Sequence, residues 1–337
     1  MRTIDLPVGV SSAIGSLPHL DMDDAVELAI GSQPVLPAAP SLPKRAPVEG
    51  MIPQAAWGIA GVLVLPDGSL LVDEAAVDPE APIDGGIDGE PFASLRAFLA
   101  AVAGRSGPFK LQLTGPVTLG LALHAVGVPA ARAFAVAARA VDARVHEVLA
   151  AVRSGTPDAR PIVFLDEPGL TAALEPGFPL GVDDTLDLVS GRLAAIEGAE
   201  GGALAGLHCC GRADWPVVLA AGPQMLSLPV EAGAADHPGA VADFLDRGGW
   251  LAWGAVPTDR PLGETAEILW RRLVAEWGAL AAAGCDPRRL VEQAMITPAC
   301  GLVGLDVAQA AHVLVLTNLL AQRVADRATE LGVTLGA

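Results

Sequence analysis

Cationic side chains are scarce in this 337-residue chain: Lys and Arg together number 21 against 39 Asp and Glu, a formal net charge of −18. A chain that negative repels phosphate backbones and anionic headgroups, so nucleic acid is excluded as an expected partner. Long apolar runs are missing too. The first ten residues hold Arg2, Asp5 and Pro7 where a signal peptide would have its apolar core. The apolar stretch 115–131 is interrupted by Pro116, His124, Gly127 and Pro129, so it falls short of the ~20 unbroken apolar residues of a bilayer span. No export and no membrane contact are expected, and the expected location is the cytoplasm. Four cysteines, Cys209, Cys210, Cys285 and Cys300, are too few for a disulfide framework at this length. In a reducing compartment their thiols stay available to a metal or to catalysis. No low-complexity block or linker divides the chain, which is expected to be one domain over 1–337. The 52% hydrophobic share is enough for a large core.

Eight short apolar runs end in polar, Gly or Pro punctuation: 12–15, 35–38, 110–115, 162–166, 203–208, 225–230, 250–256 and 294–297. Segments with helical spacing fall between them, at 23–30, 91–103, 117–152 (split at 127–129), 183–196, 238–247, 263–283 and 306–330, with Asp23 expected to cap the first. Near-continuous apolar strands alternating with helices predict a parallel sheet covered by helices, and eight such units predict a (β/α)₈ TIM barrel. The Pro66-Asp67-Gly68 turn between two apolar runs predicts a hairpin inserted after the second strand, over 61–73. No G-x-G-x-x-G turn follows an early strand, which disfavours a dinucleotide-binding sheet.

Barrel chemistry sits at the C-terminal ends of strands. There the sequence places Ser16 and His19, Thr114, Asp166 and Glu167, His208 to Cys210, Glu231, and Cys300. His208 and Cys210 are two apart, so the period of two puts both on one face and turns Cys209 to the other. With Cys300 at the end of the last strand they read either as a His/Cys/Cys site for Zn²⁺ or as small buried fillers. Glu231, just beyond the sixth strand, is the carboxylate chosen as fourth ligand, its other reading being a helix-start acid.

Taken together, Ile14-Gly15-Ser16-Leu17-Pro18-His19, Leu113-Thr114-Gly115-Pro116-Val117-Thr118, Leu165-Asp166-Glu167-Pro168-Gly169-Leu170, His208-Cys209-Cys210 and Thr297-Pro298-Ala299-Cys300-Gly301-Leu302 resemble the catalytic C-terminal barrel of the cobalamin-independent methionine synthase family. The resemblance implies a zinc site of His208, Cys210 and Cys300 with a Glu near Glu231. It implies that Ser16 and Asp166 hold homocysteine by its carboxylate and ammonium, with Asp166 the catalytic carboxylate. His19 and Thr114, within the matching motifs, join the substrate-binding set. The implied activity is transfer of a methyl group to the thiol of homocysteine or a similar small thiol, as in methionine biosynthesis, from a corrinoid protein or a folate.

Three departures stand out. The two-barrel enzyme is about twice this length; the histidine that follows the family's seventh strand has no counterpart in 254–259; and Glu231 falls one residue short of the family's spacing, where Ala232 stands. Two alternatives follow: a barrel like the uroporphyrinogen decarboxylases, which would need cations at its mouth, and a zinc-binding barrel without catalysis, suggested by Ser41 where an acidic substrate contact is expected.

Overall fold

The computed structural model describes residues 6–331 apart from 174, 201, 261 and 262. In chain order the elements begin with β1 (Val10–Ser11), α1 (Met22–Ser32), α2 (Met51–Ala56), β2 (Val62–Val64), β3 (Leu70–Val72) and α3 (Ala93–Ala101). They continue with β4 (Lys110–Thr114), α4 (Pro116–Ala125), α5 (Ala130–Gly155), β5 (Ile162–Asp166), α6 (Val182–Gly198), β6 (Leu204–His208) and α7 (Trp215–Ala220). The last are β7 (Met225–Pro229), α8 (Pro238–Asp246), β8 (Trp250–Val256), α9 (Ala266–Ala282), α10 (Pro287–Glu292), β9 (Ala294–Pro298) and α11 (Val307–Glu330).

Seven strands form one parallel sheet in the order β1-β9-β8-β7-β6-β5-β4, so each long crossover returns the chain beside the strand it left. Because side chains alternate along each strand, the sheet has two apolar faces. Ile162, Phe164, Leu204, Met225, Trp250, Ala252 and Met295 meet inside the curl, together with Val10 and Leu36. Val163, Leu165, Ala205, Leu207, Leu226, Leu251 and Ile296 face the helices. That two-sided burial is why these strands read as unbroken apolar runs. Phe164 fills the interior above Gly206, where a Cβ would strike its ring.

The curl is a TIM-like half-barrel, and a regular eighth strand is absent among the described residues. Its place between β1 and β4 is taken by 37–41, which makes single parallel bridges, Ala38 to Lys110 and Ser41 to Ser16. Lys110 N donates to Pro37 O at 2.8 Å and Leu17 N to Ser41 O at 2.9 Å. Pro37 and Pro40 have no N–H to give, so a continuous ladder cannot run through the second predicted strand. The first predicted strand also shortens and shifts, to Val10–Ser11. It stops before Gly15, whose φ of 143° leaves the β region.

An antiparallel hairpin pairs Val62–Val64 with Leu70–Val72 around the predicted turn, with Gly68 at φ 82°. The cap of α1 is Asp21, not Asp23: its carboxylate accepts from Asp23 N and Asp24 N. Asp23 and Asp24 instead put two acids in the first turn, where the helix dipole favours them. The capping box of Asp306 and Gln309 starts α11 at the expected place. Three short helices, α2, α7 and α10, were not predicted; six residues each are too few to show a period. Among the described residues, no helix is long and apolar enough to cross a membrane.

Candidate metal centre

At the C-terminal rim, His208 ends β6, Cys210 follows two residues later and Cys300 lies two residues beyond β9. Their candidate ligand atoms all lie within 4.8 Å of one another. The strand period explains the choice of thiol. Cys209 turns into the layer under the helices, fully buried, where burial pushes its thiol up to about 11. Cys210 and Cys300 remain half-buried at the opening.

The histidine is oriented before any ligand arrives. Its Nδ1 lies 2.9 Å from Ser227 Oγ, on the neighbouring β7 strand, while its Nε2 is buried without a hydrogen-bond partner. A buried ring nitrogen left unpaired is costly, and a metal shared with two thiols would satisfy it. Contact with Cys300 lowers the Cys210 thiol, and the same contact, with burial second, raises Cys300. A nitrogen and two sulfurs suit Zn²⁺, and three protein ligands leave a fourth position open.

These residues open onto a cavity of about 280 Å³ that Ser16, Ser41, Gln112, Thr114 and Asp166 also line. Asp166 pairs in register with Thr114 on one side and His208 on the other. Burial pushes its carboxyl up, opposed by His208 and by Lys110, and Oδ1 has no partner. Lys110 lies fully buried at the start of β4, donating to Ile14 O at 2.7 Å with Nζ 4.9 Å from the centre of the Phe164 ring. Burial brings its amine down to about 8. The sequence analysis assigned Lys110 no role beyond opening the run 110–115, and no motif marks it.

Two glycines in the sequence motifs are required by close approach. A Cβ on Gly301 would run into Ser16 Oγ, and one on Gly115 would run into the Glu167 carboxylate. Glu167 turns away from the cavity and caps α4 from outside, accepting from Val117 N at 2.8 Å, Thr118 N at 2.7 Å and Thr118 Oγ1 at 2.6 Å. Burial, only partly offset by those bonds, carries it up to about 7. Glu167→Ala should cost about 2 kcal/mol or more by orphaning two buried N–H groups. Denaturant unfolding measures it, and an unchanged midpoint would show that α4 keeps its start without this carboxylate.

The remaining candidates stand outside the ligand cluster. Glu231 stands outside the His/Cys/Cys cluster: Arg260 Nη2 donates to both its oxygens at 3.0 and 3.1 Å, and Arg272 lies 3.5 Å away. It lines a second cavity, of about 200 Å³, that shares Cys210 and Cys300 with the first. His19 is buried, its pKa lowered by burial against the pull of Asp24, and lines neither cavity. Thr114 Oγ1 is engaged with Met51 O at 2.8 Å. Ser227 was missed by the sequence reading; its place beside His208 depends on the β6–β7 register.

No protein-family model matches the chain, and no curated protein matches it. Among solved structures, the chain is similar to a B12-independent methionine synthase from a Shewanella species in complex with selenomethionine, with a TM-score of 0.62 and 15% identity. The alignment covers 97% of this chain and 100% of the other. At that identity the likeness is one of fold.

Proposed function

We propose that this chain is a single methionine synthase-like barrel that transfers a methyl group to the thiol of homocysteine or a similar small thiol, using Zn²⁺ held by His208, Cys210 and Cys300. The observation that carries the reading is the convergence of His208 Nε2 with two rim thiols beside a cavity holding a buried carboxylate. In this reading the segment 37–41 is the second of eight strands, and the hairpin of β2 and β3 is an insertion after it. Zn²⁺ bound there lowers the pKa of a coordinating thiol so that it is nucleophilic at neutral pH.

The chain's own residues do the positioning. Asp166 pairs with the substrate ammonium, which fixes where the thiol sulfur lies. Ser16, with room made by Gly301, takes the substrate carboxylate. The cavity walls hold the thiol away from water on a pocket scale suited to an amino acid. Glu231, clasped by Arg260 and Arg272, is left out of the ligand set, which would leave room there for the acceptor thiol.

Residues 254–259 hold Thr258 and Asp259 but no histidine. A departing folate nitrogen must be protonated as its bond breaks, so the site favours donors whose leaving group needs no acid. A methylated corrinoid is one such donor. The test is to purify the protein, count its zinc, and offer homocysteine with methylcobalamin and with methyl-folate. One zinc per chain and a thioether product are expected; a metal-free protein would sink the reading.

Ser227→Ala should weaken zinc affinity about 10- to 100-fold by freeing the ring that Ser227 holds. Competition with a chromogenic chelator reads this directly. Ser227→Thr, which keeps the hydroxyl, should restore most of it, and equal affinity in wild type and Ser227→Ala would show that the ring needs no such partner.

A further inference from the structure

Cys210 and Cys300 line two neighbouring cavities, which meet at these thiols, and His208 lines only one of them. The cavity with Asp166 takes the acceptor in the reading above. The other, between the ends of β7, β8 and β9, has no part in it. It concentrates cations in a chain that has few: Arg212, Arg260 and Arg272 all line it. Each keeps spare donors after its ion pair. Arg260 uses only Nη2 on Glu231, and its Nε is buried without a partner. Arg212 uses only Nη2 on Asp236, at 2.5 Å.

The cations are matched by carboxylates. Glu231 and Asp259 line the same cavity, and Glu264 and Asp236 hold Arg272 and Arg212 from its edge. A purely anionic ligand would meet as much repulsion as attraction there. A ligand with both charges meets a partner for each, with guanidinium forks suited to a carboxylate. The volume of about 200 Å³ lies below the roughly 300–1,000 Å³ of pockets for drug-sized ligands, a scale that suits a small ligand. Pro229, Val230, Ala255, Pro257 and Ala299 give it small apolar walls.

We infer that this second cavity binds a small zwitterionic methyl donor, with a carboxylate at the arginines and a methylated sulfonium or quaternary ammonium centre toward Cys210 and Cys300, where the two cavities meet. The inference rests on the thiol methyltransferase reading and names its second substrate. The chemistry balances without an acid. The acceptor thiolate attacks a methyl carbon; its electron pair forms the new S–C bond. The C–S⁺ or C–N⁺ bond breaks, and that pair stays on the leaving sulfur or nitrogen, which departs neutral. No proton moves, which fits a rim where 254–259 holds no histidine.

Calorimetric titration of the zinc-loaded protein with dimethylsulfonioacetate, and separately with trimethylammonioacetate, should show saturable binding. Acetate and trimethylsulfonium, the separate halves, should not reproduce it. Arg260→Gln should weaken binding about tenfold or more, as expected for loss of a charged hydrogen bond. Arg272→Gln, on α9, is the second variant should the first fail to fold. No saturable binding, or binding unchanged in the folded arginine variants, overturns the inference. Methyl transfer to homocysteine from either onium compound supports it, and the two arms separate sulfur from nitrogen donors. Transfer from methylcobalamin or methyl-folate alone overturns it while leaving the thiol methyltransferase standing. A metal-free protein that accepts methyl from no donor overturns both.

Discussion

Cys210→Ser and Cys300→Ser should each reduce co-purified zinc from about one per chain to nearly none. Each removes one of three ligands, and a serine hydroxyl does not deprotonate for a metal as a thiol does. Contact with Cys300 is the largest influence lowering Cys210, so losing Cys300 also leaves Cys210 less available as thiolate. Both side chains are only half-buried, so serine should fit without disturbing the core. Cys285→Ser is the control. That thiol is buried away from the cluster and contacts Pro238 O at 3.3 Å, a contact serine can keep, so its zinc should be unchanged. Metal analysis of the three variants decides the matter, and full occupancy in both Cys210→Ser and Cys300→Ser would remove the metal centre altogether.

Asp166→Asn should weaken homocysteine binding about 10- to 100-fold while leaving zinc content intact. A hydrogen bond to a charged group contributes about 1.5–3 kcal/mol, and Asn has nearly the shape of Asp without its charge. The unpartnered Oδ1, buried at the cavity wall, is the atom the ammonium would satisfy. Cobalt-substituted protein reports the binding through its visible spectrum as the substrate sulfur joins the metal. If Asp166→Asn responds at the same homocysteine concentration as wild type, the ammonium is held elsewhere and the acceptor cavity has been misassigned.

Much of the site was readable because of strand periodicity. A period of two sorts His208 and Cys210 from Cys209 without any coordinates, and the burial of Cys209 beneath the helices follows that sorting. The strand ends Thr114, Asp166 and His208 stand side by side in register, as a parallel sheet requires. Helices long enough to repeat their apolar face were read to within a few residues, α5 and α11 among them. Where the reading slipped, a local feature overrode the pattern. Proline took the N–H groups from the second strand, Gly15 ended the first, and Asp21 outcompeted Asp23 for the cap because its carboxylate sits before the first turn.

The sequence by itself determined the alternation of elements, the two-faced burial of the strands and the shared face of His208 and Cys210, because each depends on spacing along the chain; that Cys300 joins them was decided by the fold. The tertiary structure alone decided which groups surround them. Ser227 beside His208, Lys110 behind Asp166, and Glu231 drawn off by Arg260 and Arg272 all join residues at least 19 positions apart. Their partners are set by sheet register and by the loops above it, and neither leaves a periodic trace in the sequence.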